Sequence, residues 1–276
     1  MRSCRTAPLV GRLLPACLAC AFFLAPLAFA DGARQILDEL RAATLAREPK
    51  DLTQSLRMTN LRNGTVELVR ELETSTKFYG NGSSKNVTYF LSPLDIKGVG
   101  FLAWSDPHQA DQQWLYLPKI HRVRLIGPAM RQQSFQDTVF TYEDVELFKE
   151  MSKWTEEDVA SRLASAGDPL DGVPCVVAEL TPRRSDVSYG RIALWIHRQD
   201  ETIRKAEFYD RADGKLWKTA RFADFTQIGD LPIARHAELE NGRIELRTVV
   251  DVIETRLNEG LDDDAFTPWY MERVIK

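Results

Sequence analysis

Residues 55–72, SLRMTNLRNGTVELVREL, decide the fold class of this chain. Two runs in which apolar and polar residues alternate flank the dipeptide Asn63-Gly64. Alternation with a period of two is typical of a strand with one buried face, and Asn-Gly is a pair that two-residue hairpin turns prefer. The segment therefore predicts an antiparallel hairpin.

Similar turn dipeptides recur along the chain, at Asn81-Gly82, Asp213-Gly214 and Asn241-Gly242. Between them, RIALWIHR (191–198) again places alternate apolar residues on one face. There is no low-complexity linker and no parallel β-helix-β rhythm. Many hairpins with few helices predict a mainly antiparallel α+β fold, in which a strongly curved sheet has helices packed against one side.

Three segments are expected to be helical. Asp31–Glu48 has apolar residues near helical spacing and ends before Pro49. Tyr142–Ala164 is expected to form two helical pieces. A short helix from Ala265 to Val274 follows the acids 262–264, whose charges favour a helix N-terminus.

The first thirty residues have the features of a signal peptide. A basic start precedes an apolar run from Leu13 to Ala28, and Ala28-Phe29-Ala30 has the small-x-small form of a cleavage site after Ala30. The apolar run is shorter than the ~20 residues that span a bilayer, which disfavours the alternative of a membrane anchor. A lipid-modified start at Cys17 or Cys20 is the other alternative, and neither cysteine follows a good lipobox.

Cleavage would export residues 31–276 as one domain, with a helix at 31–48 and a curved sheet at about 53–274. The leader holds three arginines and no acids, so 33 basic residues would face 40 acidic ones, a net charge near −7. This balance argues against nucleic acid, or an anionic membrane surface, as the main partner. We expect a monomer.

The sequence lacks the common motifs of catalytic sites. No G-x-S-x-G elbow, H-E-x-x-H pair, P-loop or G-x-G-x-x-G turn occurs, and the four histidines have no metal-ligand spacing. Cys175 is the one cysteine outside the leader, so no internal disulfide is expected, and its apolar neighbours predict a buried, inert thiol. We expect no enzyme activity, no metal and no cofactor.

Large apolar residues on strands are more informative, because they exceed what a single-sided sheet needs. Most of them are explained by a core beneath the helices. Where a curved sheet is only partly filled, the remainder would line a cavity suited to an acyl chain. The cavity candidates are Leu56, Met58, Phe101, Trp104, Trp114, Leu115, Tyr116 and Leu117.

The stretch QWLYLPKIHRVRLI (113–126) reads as two strand-like halves around Pro118. Alternation does not decide whether Leu115 and Leu117 or Trp114 and Tyr116 face inward, because a shift of one residue exchanges the faces. Its cations are expected to be a solvated strand edge that discourages unwanted pairing. The alternative is that they bind a lipid head group or an acidic partner. They are Lys119, Arg122 and Arg124.

Three segments resemble a known family in order and spacing. They are LSPLDIKGVGFLAW (91–104), DQQWLYLPKIHRVRLI (111–126) and SFQDTVFTYEDV (134–145). These are similar to the outer-membrane lipoprotein-sorting proteins, relatives of LolA, LolB and the N-terminal part of RseB. Residues 175–218 resemble the second half of that family, so the similarity covers about 53–274. The chain departs from the pattern at Gln136, Asp137 and Val139, where the family usually has small residues and an acid.

The resemblance implies an incomplete antiparallel barrel whose open side is covered by helices and whose interior accepts acyl chains without catalysis. In that arrangement Phe140 and Tyr142 belong to the lid. The implied function is a periplasmic carrier or chaperone for a lipid or lipoprotein, sorted to the outer membrane. The partner that the resemblance implies is an inner-membrane exporter of the RND or MMPL type.

Two other functions remain open. An RseB-like sensor or accessory module would dock on a membrane protein and would need a stable protein partner. A secreted hydrolase would need a nucleophile paired with a general base, and the sequence contains no motif that indicates such a pair.

Overall fold

The computed structural model describes residues 25–107, 109–185 and 187–274. Residues 1–24, which hold most of the predicted signal peptide, lie outside the described residues. None of the described helices is both long enough and apolar enough to cross a membrane.

The described residues form thirteen strands and three α-helices. The helices are α1 Ala25–Ala46, α2 Tyr142–Glu150 and α3 Pro268–Val274. The strands are β1 Asp51–Arg62, β2 Thr65–Phe78, β3 Ser84–Ser92, β4 Gly100–Asp106, β5 Gln109–Leu117, β6 Arg122–Leu125, β7 Val159–Leu170, β8 Val173–Pro182, β9 Tyr189–His197, β10 Thr202–Asp210, β11 Leu216–Ile228, β12 Leu231–Asn241 and β13 Leu246–Leu257. Short 3-10 helices lie at Pro118–Ile120, Pro128–Met130 and Asp263–Phe266.

All thirteen strands belong to one antiparallel sheet in the order β6-β5-β4-β3-β2-β1-β13-β12-β11-β10-β9-β8-β7. Strand β1 pairs with β13, which joins the first half of the chain to the second. The terminal strands β6 and β7 do not pair with each other, so the sheet stays open. The fold is the half-open, mainly antiparallel barrel that the sequence predicts.

The Asn63-Gly64 hairpin is confirmed. Both residues have positive φ, 50° and 77°, as a turn that matches the right-handed twist of two strands requires. Strands β1 and β2 pair on either side of it, with Arg62 opposite Thr65. The other three turn dipeptides also lie where one strand ends and the next follows, with Asn241 as the last residue of β12.

One face of the sheet forms a continuous apolar interior. Apolar residues on this face lie opposite one another on neighbouring strands, with Leu115 opposite Phe101 on one side of the barrel and Leu194 opposite Ala206 on the other. Two clusters of buried side chains lie on this face. One involves mainly β7 to β12, and the other mainly β1 to β5.

Helices α1 and α2 cover the interior face. Helix α1 packs against β7 and contributes Ile36, Leu37 and Leu40 to the first cluster. Helix α2 begins at a capping box, in which the Thr141 side chain accepts from Asp144 N–H and the Asp144 carboxylate accepts from Thr141 N–H. Because α2 contributes side chains to both clusters, it fills the trough between the two halves of the sheet.

Helix α3 packs on the opposite, outer face of β3 to β6. There Met271 and Phe266, both fully buried, contact an apolar cluster with Leu102 and Tyr116. The predicted C-terminal helix is thus confirmed, with Asp262 capping the 3-10 turn that precedes it.

The second predicted helical piece is wrong, since residues from Val159 onward form strand β7. Val159–Leu170 pairs with β8 along its length, with Val159 opposite Pro182. The segment contains several alanines, and their helical preference is overridden by backbone pairing at the sheet edge. Helix α1 begins at Ala25, before the predicted start at Asp31, so its backbone passes through Ala30. Cleavage at that residue stays a prediction.

Candidate functional site

The interior between β1–β5 and α2 is packed with aromatic side chains. Phe135, in the loop before α2, lies 5.2 Å from Phe101 and 5.5 Å from Tyr142 between ring centroids. Phe90 lies 5.9 Å from Phe135. The sheet supplies Phe90 and Phe101, whereas the loop and α2 supply Phe135 and Tyr142. The apolar surface of the strands is therefore covered by side chains from a separate segment.

Polar residues of the interior bind the loop before α2 that contains Phe135, which we call the covering loop. Asn60 donates to Asp137 O at 2.8 Å, and the Arg70 guanidinium donates to Gln136 O. Val139 N–H donates to the Thr248 hydroxyl at 3.0 Å. The loop residues Gln136 and Asp137 both have positive φ, a strained conformation for residues other than glycine. The loop is thus fixed by specific hydrogen bonds from β1, β2 and β13.

The first turn of α2 carries a buried ion pair. Lys218, on the interior face of β11, donates to Asp144 Oδ2 at 2.5 Å, and both side chains are about 1 % exposed. Tyr189 donates to the other carboxylate oxygen at 2.5 Å. Burial, together with the neighbouring Asp144 carboxylate, raises the pKa of Tyr189 well above its ordinary value. This pair attaches α2 to β9 and β11.

The other side of α2 carries a second polar group that faces β4 and β5. Gln113 donates to Glu146 Oε2 at 2.9 Å, and Arg131 lies 3.5 Å from the same oxygen. Burial raises the pKa of Glu146 to about 9. Burial also lowers the pKa of Lys149 to about 8, and its buried Nζ has no hydrogen-bond partner among the described residues. Helix α2 therefore buries ionisable groups as well as apolar ones.

An open cavity of about 240 Å³ lies beside α2, toward the β10–β12 side of the barrel. Phe148 of α2 separates it from the interior, with its ring 5.4 Å from Phe208 and 6.0 Å from Phe222. At the edge, Arg47 pairs with Glu201 at 2.5 Å. The apolar lining is formed by Leu40, Phe148, Met151, Ile203, Phe222, Phe225, Leu231, Pro232 and Ala234.

The structure divides the cavity candidates between the two faces of the sheet. Those that lie on the interior face, in the cluster with Phe135, are Leu56, Met58, Phe101, Leu115 and Leu117. Those that lie on the outer face, beneath α3, are Trp104, Trp114 and Tyr116. The outer three do not share a cavity with Phe101, because successive side chains on a strand point to opposite faces of the sheet. Trp104 is three residues from Phe101 on β4, and Trp114 and Tyr116 each neighbour Leu115, the residue opposite Phe101 on β5.

The outer aromatic residues have a structural role in this arrangement. Trp104 and Trp114 meet edge to face at 4.7 Å, and Trp104 Nε1 donates to Phe266 O at 2.8 Å. They attach the C-terminal segment to the sheet.

The lid candidates and the cations fall in separate regions. Phe140 and Tyr142 lie at the start of α2 and contact the interior clusters. Arg122 and Arg124 are exposed on β6, a terminal strand of the sheet, and Lys119 is exposed in the 3-10 turn before it.

Sequence reasoning missed Lys218, Asp144 and the cavity beside Phe148. Lys218 had a detectable signal, since it occupies the same face of β11 as Ala220. A lysine on the apolar face of a strand indicates that its charge has a buried partner. The cavity had no such signal, because α1, α2 and the strands β10 to β12 form it together and these three parts of the chain are distant in sequence.

Among the described residues, no group of histidine, cysteine, aspartate and glutamate side chains is arranged to hold a metal ion. Cys175 is buried, and its burial raises the pKa of the thiol. The arrangement offers apolar surface and buried ion pairs.

The chain is similar to several known proteins. The model of a family described as "Uncharacterized protein" matches residues 82–273. No curated protein sequence matches the chain. An outer membrane lipoprotein-sorting protein domain from Vibrio parahaemolyticus is 25 % identical, with a TM-score of 0.79 over 88 % of this chain and 100 % of that one.

Two further solved structures share the fold. A DUF1329 family protein from Desulfovibrio piger is 23 % identical, with a TM-score of 0.78 over 87 % of this chain and 97 % of that one. A LolA superfamily protein from Nitrosomonas europaea is 19 % identical, with a TM-score of 0.62 over 88 % of this chain and 99 % of that one.

Proposed function

This chain belongs to the protein family whose model matches residues 82–273, and its fold is that of the outer-membrane lipoprotein-sorting proteins. From this fold we propose that it is a periplasmic carrier that binds the acyl chains of a lipid or lipoprotein inside its half-barrel. It would work by binding and release, without a chemical step.

One observation carries the proposal: the apolar interior of the sheet is filled by a separate segment. Phe135, Phe140 and Phe148 come from α2 and the loop before it, whereas the strands form an open trough behind them. Withdrawal of this segment would expose a continuous apolar surface of the strands. Burial of a fourteen-carbon chain there is worth on the order of 10 kcal/mol before ordering costs, at ~0.8 kcal/mol per methylene.

The polar groups of α2 make such a withdrawal energetically accessible. Glu146 and Lys149 are buried with α2 and would regain hydration when it moves into water, whereas the Asp144–Lys218 pair would have to break. The desolvation of Glu146 and Lys149 opposes the packing of α2, because burial of an ionisable group costs free energy unless it is fully paired and hydrogen-bonded. The helix can therefore exchange with an apolar guest at a smaller net cost than its aromatic contacts alone would suggest.

The cavity beside Phe148 is the natural entrance for the end of an acyl chain. Its volume of about 240 Å³ is below the ~300–1,000 Å³ of sites that enclose a small molecule. It would hold part of a chain, and the rest requires Phe148 and α2 to move. The proposal includes an exporter of the RND or MMPL type as the protein that delivers or receives the cargo.

Mass spectrometry of the chain purified from its native envelope tests the proposal. Acyl-bearing lipid should be extracted in amounts near one molecule per chain. A fluorescent fatty-acid probe should also bind the delipidated chain, and Phe148→Trp, which fills the cavity, should weaken it. Tyr209→Trp, on the outer face, is the matched control. An extract without lipid, together with no binding of the probe, would refute the carrier function.

A further inference from the structure

One end of the sheet gathers four cationic side chains. Strand β4 begins at Gly100 opposite Tyr116, and β5 ends at Leu117 opposite Arg122. The β3–β4 loop (93–99) and the β5–β6 turn (118–121) therefore lie at the same edge. The cations of these segments and of β6, which we call the cationic rim, are Lys97, Lys119, Arg122 and Arg124.

The rim carries an excess of positive charge. All four side chains are exposed, and none forms an ion pair or hydrogen bond with any other part of the chain that the structure describes. By contrast, Arg256 pairs with three carboxylates on the outer face, and Arg243 pairs with two. The segments 93–99 and 118–125 contain one acid, Asp95, against the four cations, and Glu272 of α3 adds a second, whose carboxylate accepts from Val123 N–H.

Exposed apolar side chains lie among these cations. Leu94, in the β3–β4 loop, is 86 % exposed, and Leu125, on β6, is 60 % exposed. Ile120, in the β5–β6 turn, is 46 % exposed. Isolated exposed leucines are common, but three such residues within one cationic edge form the combination that binds at a membrane interface.

We propose that the cationic rim docks on an anionic phospholipid surface. The four cations would contact head-group phosphates, and Leu94 and Ile120 would enter the boundary of the acyl region. The chain as a whole carries a net charge of −4, so an anionic bilayer repels most of its surface. Docking is therefore confined to the rim, which sets the orientation of the molecule on the membrane.

This orientation brings the covering loop to the bilayer. Ile96 and Val99 of the β3–β4 loop belong to the same apolar cluster as Phe135. Arg70, which holds Gln136 O, is close enough to Asp95 for the carboxylate to raise the pKa of the guanidinium, although burial lowers that pKa overall. The rim and the covering loop are thus neighbours, and a docked molecule would open toward lipid.

Co-sedimentation of the full chain with vesicles tests the proposal. Vesicles of phosphatidylcholine with phosphatidylglycerol should bind the chain, phosphatidylcholine alone should bind it weakly, and added salt should release it. Arg122→Ala with Arg124→Ala should weaken binding by about 30-fold, since each cation near an anionic surface contributes about 1 kcal/mol, which is about fivefold in affinity. Leu94→Ser should weaken it further.

The matched control is Lys215→Ala with Arg235→Ala, two exposed cations far from the rim in sequence, which should leave binding unchanged. Equal binding of the rim variant and the unaltered chain, or no preference for anionic vesicles, would overturn the proposal. The assay uses delipidated chain, so its result is independent of acyl-chain carriage. A chain that binds vesicles but yields no lipid would refute the carrier function alone.

Discussion

Lys218 Nζ lies 2.5 Å from Asp144 Oδ2, and this contact joins strand β11 to the first turn of α2 with both side chains about 1 % exposed. The same carboxylate group caps the helix at Thr141 and accepts from Tyr189. One buried aspartate thus links the helix that fills the barrel to two strands of its wall.

Removal of the cation should loosen this attachment. Lys218→Met leaves Asp144 buried without its charged partner, and we expect the free energy of unfolding to fall by about 3–5 kcal/mol. Urea denaturation measures the change. The double variant Asp144→Asn with Lys218→Met should recover part of the loss, since no charge is then left buried. Lys215→Met, an exposed lysine in the same hairpin, is the control, and an equal loss there would contradict the prediction.

Stability should depend on pH through Glu146. Burial, aided by Asp111, raises its pKa from 4.5 to about 9. Below pH 4.5 the carboxyl is protonated in both folded and unfolded chains, so its contribution to stability is fully present. As the pH rises toward 9, the unfolded chain releases the proton while the folded chain retains it, and that stability is lost.

The variant Glu146→Gln should remove this decline, which denaturation at several pH values would detect as a flatter profile. Lys149→Met is an informative comparison. Burial lowers the pKa of Lys149 from 10.5 to about 8, so its effect acts in a higher window and with the opposite sign. A glutamine variant with the same slope as the unaltered chain would show that Glu146 does not titrate in this way.

The two faces of β4 should respond differently to substitution. Phe101 lies inside the half-barrel and Trp104 lies outside it, beneath α3. We expect Phe101→Leu to weaken binding of a fatty-acid probe several-fold, because it removes interior contact area. Trp104→Phe should lower stability by about 0.5–1.5 kcal/mol through loss of its hydrogen bond to Phe266 O, and leave probe binding unchanged. The opposite pattern would place the guest on the outer face.

A methyl group at position 100 should displace α3. A Cβ on Gly100 would lie 2.7 Å from Met271 Cε and 2.8 Å from Tyr89 Cε1. Gly100→Ala should therefore cost about 1–3 kcal/mol, measured by thermal or urea unfolding. Gly127→Ala is the control, because no atom lies within 4 Å of its Cβ. Met271→Ala should relieve the contact with Met271, so the double variant should lose less stability than the sum of the two single losses, and additive losses would contradict this explanation.

The hairpins were predictable because their cause is local. Asn63 and Gly64 adopt the positive φ that their turn requires, and those angles depend on the two residues themselves. The second half of the predicted 142–164 helical segment was wrong because a local signal was missed. From Val159 the chain pairs with β8 across the two-residue turn Asp171-Gly172, whose residues both have positive φ, and this pairing outweighs the helical preference of the segment.

The candidate site was only partly predictable. The sequence indicated an excess of large apolar residues on strands, but Trp114 and Leu115 were equivalent until the register with β4 was known. The position of Lys218 on the apolar face of β11 indicates a buried partner, but nothing local identifies that partner as Asp144, 74 positions away.

The sequence by itself determined an antiparallel sheet built from hairpins, the C-terminal helix and the resemblance to lipoprotein-sorting proteins. Each of these depends on short-range patterns, such as turn chemistry and period-two alternation. The tertiary structure decided which strand face is inside, that α2 fills the trough, and that Lys97 joins Arg122 and Arg124 in one cationic rim. Those features arise from strand pairing between distant segments, because burial and charge clustering are properties of the assembled sheet.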